Sequence, residues 1–123
     1  MNNWITAAET ALTSVYNQTQ VPYEFEFWNE EKRGKPPDTY LVYFLVSNPT
    51  LTSADNAERS STPRVQVSMF YRNISAMAEI PETIIKAMTD AGFRRFSEGR
   101  IPFQRDAGFY GWRCEFIFYE KRS

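Results

Sequence analysis

Histidine is missing altogether from these 123 residues, and cysteine occurs once, at Cys114. Without histidine the chain lacks the usual general base near neutral pH and the commonest nitrogen ligand for metals. Ser–His–acid triads, Cys–His dyads and imidazole-built zinc sites are therefore excluded. A single cysteine cannot close an internal disulfide. Neither a GxxxxGK[ST] nor a GxGxxG stretch occurs, so no phosphate-cradling loop is indicated. The longest uninterrupted apolar run, Tyr40 to Val46, is far shorter than the roughly 20 residues a membrane-spanning helix requires. Fourteen basic residues against fifteen acidic ones leave a formal charge of −1, which offers no broad attraction to nucleic acid or anionic lipid. No charged-then-apolar leader opens the sequence, so synthesis inside the cell is the expectation.

What the sequence has in quantity is aromatic side chains, 16% of all residues. Each buries a large area, so such a chain has either a dense core or an adhesive surface. The length suits a single domain spanning residues 1–123.

Periodicity gives the elements. Trp4, Ile5, Ala8, Leu12, Val15 and Tyr16 recur at helical spacing, with Asn2 or Asn3 in place as the N-cap. Tyr23, Phe25 and Phe27 alternate with Glu24 and Glu26, the pattern of a strand with one wet face. The charged, proline-containing stretch Glu30 to Pro37 reads as an exposed loop. Thr39 to Ser47 is apolar on both faces and predicts a central strand covered on both sides, by helices or by a neighbouring subunit. Residues 48–62 form a polar connection long enough to be either functional or disordered, with disorder in the isolated chain the favoured expectation.

Pro63 to Tyr71 alternates again and predicts a strand antiparallel to its predecessor. Ile80, Ile84, Ile85, Met88 and Ala91 form a helical stripe, with Pro81 suited to a first turn and Gly92 to the position just past the end. A short extended segment, Phe93 to Phe96, then leads into a loop from Gly99 to Gly111. The last strand runs from Trp112 to Glu120, with Trp112, Cys114, Phe116 and Phe118 on one face. Together these predict an α+β fold: a largely antiparallel sheet of three to five strands with two helices packed on one face.

Chemistry is sparse. Cys114 falls on the apolar face of an aromatic strand, where a thiol is inert. The carboxylate pairs Glu24/Glu26 and Glu30/Glu31 occupy wet positions with nothing to raise a pKa. No catalytic, cofactor-binding or metal-ligating residue is expected, and the chain is not expected to be an enzyme. Arg94, Arg95, Arg100 and Arg105 do gather around Phe93, Phe96, Phe103 and Phe109. Such interleaving suits single-stranded nucleic acid, a solvated loop balanced by Glu98 and Asp106, or a protein interface, where arginine and aromatics are enriched. The candidate interface residues are Arg100, Phe103, Arg105, Asp106, Phe109 and Tyr110.

The order of elements, together with Arg105-Asp106-Ala107-Gly108, Trp112 and the closing Phe118-Tyr119-Glu120, resembles the tail terminator family of long-tailed bacteriophages and prophages, the lambda-like tail-tube capping proteins. The resemblance implies a small α+β subunit forming a six-membered ring in the virion tail. Its partners would be further copies of itself, the tail tube protein and the head-tail connector protein, with DNA passing through the ring. Such a ring closes through head-to-tail contacts. The alternative is a small α+β module that binds nucleic acid or protein through the Arg/Phe-rich residues 94–110.

Overall fold

A computed structural model describes residues 3–47 and 63–119. The expected loop at 48–62 lies outside the described residues, as does Glu120; the last strand, expected to run to Glu120, ends at Phe118, with Tyr119 described outside it. Among the described residues the elements are α1 (Trp4–Thr19), β1 (Tyr23–Phe25), α2 (Glu30–Arg33), β2 (Thr39–Ser47), β3 (Arg64–Tyr71), α3 (Ala76–Asp90), β4 (Phe93–Gln104) and β5 (Phe109–Phe118). The strands form one sheet in the order β1-β2-β3-β5-β4. β1 runs parallel to β2, and the other neighbours are antiparallel. The fold is α+β.

The core lies between one face of this sheet and the pair α1 and α3. On the sheet side it is built by Leu41 and Tyr43 of β2, Val65, Val67 and Met69 of β3, and Trp112, Cys114 and Phe116 of β5. Register places Val65 opposite Phe116, Val67 opposite Cys114 and Met69 opposite Trp112, so alternate residues of both strands point the same way. On the helix side, Ala7, Ala8, Ala11, Leu12 and Val15 form the stripe of α1, and Ile84, Ala87 and Met88 that of α3. Alanines on α1 let its backbone approach closely while Leu12 and Val15 fill the remaining volume.

Caps set the helix limits. Asn3 Oδ1 accepts from the Thr6 N–H at 2.9 Å, as the sequence led one to expect. α1 runs three residues past Tyr16, the last residue of the expected helix, because Gln18 and Thr19 continue the backbone as a polar turn, the Thr19 hydroxyl donating to the Val15 carbonyl. α3 begins at Ala76 rather than Ile80. Asn73 draws the chain into a turn there by accepting from both the N–H and the hydroxyl of Ser75. Pro81 therefore sits inside the helix and not in its first turn, and its missing N–H leaves the Met77 carbonyl without its usual helical donor. Gly92 does take the position past the helix end, at φ 105°.

Three further expectations change. β1 stops at Phe25, because Glu26 takes φ 71° and Phe27 N–H turns back onto the Phe25 carbonyl at 2.8 Å. The Glu30 to Pro37 loop contains one helical turn, α2, capped by Asn29 Oδ1 accepting from the Glu31 N–H. Most consequentially, the supposed loop from Gly99 to Gly111 is largely sheet: β4 is a 12-residue edge strand hairpinned to β5. Charges and Pro102 suggest a loop, but an edge strand pairs on one side only and tolerates both. Register shifts between Arg95 and Ser97 and between Ile101 and Gln104 absorb the mismatch in length.

Gly111 opposes Ile101 at such short range that a methyl there would lie 2.6 Å from the Ile101 Cβ. Gly111→Ala is accordingly expected to destabilise the protein by about 1–3 kcal/mol, read as a lowered urea midpoint. Adding Ile101→Gly, which removes that Cβ, should make the combined loss smaller than the sum of the two single losses, and independent, additive losses would contradict the contact.

Candidate interaction surface

The second face of the sheet carries no helix among the described residues. Register assigns to it Tyr40, Val42 and Phe44 from β2, Phe70 from β3 and Ile117 from β5, beside the polar Gln66, Ser68, Arg113 and Glu115, while Val46 lies at the register shift between Leu45 and Ser47. β2 is thus apolar on both faces, as its sequence says, but among the described residues only one face is covered by helices. At one end of the uncovered face the rings interlock. Tyr40 stacks on Phe70 with centroids 5.3 Å apart, meets Phe109 edge-on at 5.4 Å, and packs against Trp28 at 5.2 Å. Trp28 is anchored by its Nε1–H, which donates to the Gly34 carbonyl at 2.9 Å. Burial pushes the Tyr40 hydroxyl above its ordinary pKa, with the Arg72 charge opposing. At the other end Arg64 lies over Phe96 at 4.2 Å and reaches Glu115 at 3.8 Å, while Arg113 pairs with the same carboxylate at 3.5 Å. Val46 and Phe96 remain open to solvent there.

The sequence-derived interface residues are distributed unevenly. Arg105 and Asp106 sit on the exposed turn between β4 and β5, closed by the Gly108 N–H donating to the Gln104 carbonyl at 2.7 Å. Phe103, 48% exposed, packs on Tyr110 at 4.7 Å, and Tyr110 stacks in turn on Tyr71 at 5.6 Å. Arg100 is exposed opposite Trp112. Phe109 departs from the expectation. It is 2% exposed, pinned beneath Tyr40 and Arg72, because β5 begins at Phe109 and turns that ring onto the sheet. It is a packing residue and not part of a presented surface.

Sequence reasoning missed Arg72. Its guanidinium lies 4.3 Å above the Phe109 ring and 3.4 Å from Asp38, and donates to the Ala107 carbonyl at 3.5 Å. It ties the β2 entry, the β3 exit and the hairpin tip together. An arginine directly after an alternating strand was the available signal, but its partners are more than thirty residues away in sequence. Glu9 was also passed over. Its carboxylate accepts from the Tyr43 hydroxyl and, at 3.3 Å, from the Tyr23 hydroxyl, which also shares a hydrogen bond with Thr13 at 2.7 Å. Burial first and the Glu9 contact second drive the Tyr43 hydroxyl strongly upward.

Cys114 occupies the core face, as its strand position implies. Burial, reinforced by Glu98, pushes its thiol up to about 12 against the opposing charges of Arg95 and Arg113. Glu98 itself bridges Arg95 at 3.3 Å and the Trp112 Nε1–H at 3.0 Å. Among the described residues no group of His, Cys, Asp and Glu side chains is arranged to hold a metal ion.

Comparison with known protein families finds no match, and none of the curated proteins compared is similar to this sequence.

Two outcomes follow from this geometry. Phe109→Ala should cost about 3–5 kcal/mol in urea denaturation, whereas Phe103→Ala should cost about 1 kcal/mol or less; equal costs would contradict the burial assigned to them. Because the folded thiol of Cys114 holds its proton above the ordinary value of 9.0, the stability it contributes is complete below pH 9 and declines as pH rises from there toward 12. Cys114→Ala should flatten that decline, and in the native protein iodoacetamide labelling of Cys114 should proceed only at the rate of unfolding.

Proposed function

We propose that this chain is a structural assembly subunit, a ring-forming tail terminator that caps a phage or prophage tail tube and meets the head-tail connector on its other side. The observation that carries the reading is the uncovered sheet face: Phe44, Val46 and Ile117 belong to a β-sheet whose other face already holds the core. A strand apolar on both sides with helices on only one retains apolar area that a neighbouring protein would cover. The aromatic rings exposed along both sheet edges, Phe25, Phe27, Phe96 and Phe103, add residue types enriched where proteins meet. The family resemblance supplies the kind of neighbour, namely copies of the same subunit, the tube and the connector.

Binding of a nucleic-acid strand is the less favoured reading. Of the arginines in residues 94–110 only Arg95 has a carboxylate partner among the described residues, but the formal charge of −1 over the chain gives a phosphate backbone no broad attraction.

The test is assembly on a tube. Co-expressed with a tail tube protein, the chain is expected to give tubes of limited length, each ending in a ring by negative-stain microscopy. A Val46→Lys/Ile117→Lys variant should keep its melting temperature within a few degrees and lose capping. Unlimited tubes in the presence of the unaltered chain would refute the reading, and salt-sensitive binding of a single-stranded oligonucleotide would favour the alternative.

A further inference from the structure

The two ends of the strand order, β1 and β4, differ in charge. Beside β1 lies a groove of about 410 Å³ lined by Glu9, Tyr16, Tyr23, Glu24, Phe25 and Arg33. Glu26 adjoins it, and Phe25 and Phe27 are 42% and 61% exposed. The nearest bases, Lys32 and Arg33, belong to α2, and Arg33 is ion-paired with Glu24. Glu24 is engaged by Arg33 and Glu9 by the Tyr23 and Tyr43 hydroxyls, so Glu26 is the acid of this edge without a partner among the described residues; three carboxylates against Lys32 and Arg33 still leave the edge acidic and aromatic. β4 carries Arg94, Arg95 and Arg100, all exposed, with Phe96 and Phe103 between and beyond them. Its one acid, Glu98, is already engaged by Arg95 and Trp112. Among the described residues Arg94 and Arg100 have no ion-pair partner, and nothing pairs with the outer side of β4.

We infer that these two edges are the surfaces through which successive copies of the chain meet, the arginine edge of β4 on one copy seating on the acidic, aromatic groove of β1 on the next. The inference rests on the ring reading above and adds to it which parts of the subunit touch.

The faces match as well as the edges. Arg95 pairs with Phe116 and Arg100 with Trp112, which places both on the helix-covered side. Tyr23 pairs with Leu41 and Phe25 with Tyr43, on that same side, where Glu9 and Tyr16 of α1 complete the groove. Arg94 pairs with Ile117 and Glu24 with Val42, on the uncovered side. When one subunit follows another with helices on the same side, Arg95 and Arg100 come to the Glu9 side of the groove and Arg94 comes to Glu24. Charge and ring stacking are thus satisfied on both faces at once.

Pairing of like edges is disfavoured, since β4 against β4 sets arginine against arginine and β1 against β1 sets acid against acid. A contact between two different surfaces at opposite ends of the sheet propagates head to tail, and closes into a ring where the rotation between successive copies closes. The positive φ of Glu26 cuts β1 to three residues. The contact is therefore carried by side chains more than by a continued strand ladder, and is sensitive to salt.

Charge reversal tests this directly. Glu24→Lys/Glu26→Lys makes both edges basic, and Arg94→Glu/Arg100→Glu makes both acidic. All four positions lie at the sheet edges, so thermal melts should confirm folded proteins. In sedimentation velocity at concentrations where the unaltered chain forms rings, each variant alone is expected to remain monomeric. An equimolar mixture of the two should form rings again, and so should a single chain carrying all four changes. Rings from either variant alone, or no recovery in both the mixture and the fourfold chain, would overturn the edge assignment while leaving ring formation standing. If the unaltered chain never assembles, even with tail tube protein present, the ring reading fails and the edge assignment fails with it.

Discussion

Everything in this molecule hangs on the burial of the β3–β5 pair beneath α1 and α3. Val65, Val67 and Met69 lie register to register with Phe116, Cys114 and Trp112, and all six are almost fully excluded from water. At about 25 cal/mol per Å² of apolar surface, such side chains supply the main favourable term of folding. Because these two strands are central in the order, every other strand is positioned by pairing outward from them. β2 attaches on one side and β4 on the other, and β1 is held last, by only three residues.

The same arrangement creates the open face. A sheet with helices on one side must satisfy its other side by itself or with a partner. Here one end is closed locally by Trp28, Tyr40, Phe70 and Phe109, with Arg72 clamped above them. The other end is only partly closed, by Arg64 over Phe96. Arginines in this chain serve the fold as much as the surface: several lie over a ring while a carboxylate balances the charge. That is how a chain of near-zero net charge keeps many arginines without a basic patch. Among the described residues the arginines without a carboxylate partner are Arg94 and Arg100 on the β4 edge and Arg105 on the turn that follows it, which gives that edge its distinct character.

Much of this was legible in the sequence because it depends on local periodicity. The limits of β2, the alternation of β3, the inward set Trp112, Cys114, Phe116 and Phe118, the stripe of α1 and the glycine past α3 all follow from side-chain spacing that any strand or helix must obey. The candidate surface was less legible. Arg105 and Asp106 do lie on an exposed turn, yet Phe109, four and three residues further on, is packed inside. Nothing in the local pattern distinguishes these aromatics, because their exposure depends on which long-range neighbour covers each one.

By itself, then, the sequence determined the α+β class, the identity of most core-facing residues and the absence of histidine chemistry, since these depend on composition and on periods of 2 and 3.6 residues. Only the tertiary structure decided that the charged Gly99–Gly111 stretch is mostly an edge hairpin, that β1 joins parallel to β2, and that Arg72 and Glu9 tie distant elements together. The physical reason is that strand order and edge position are properties of pairing between segments far apart in the chain. A strand paired on one side accepts charges, glycine and proline that, read along the sequence alone, look like a loop.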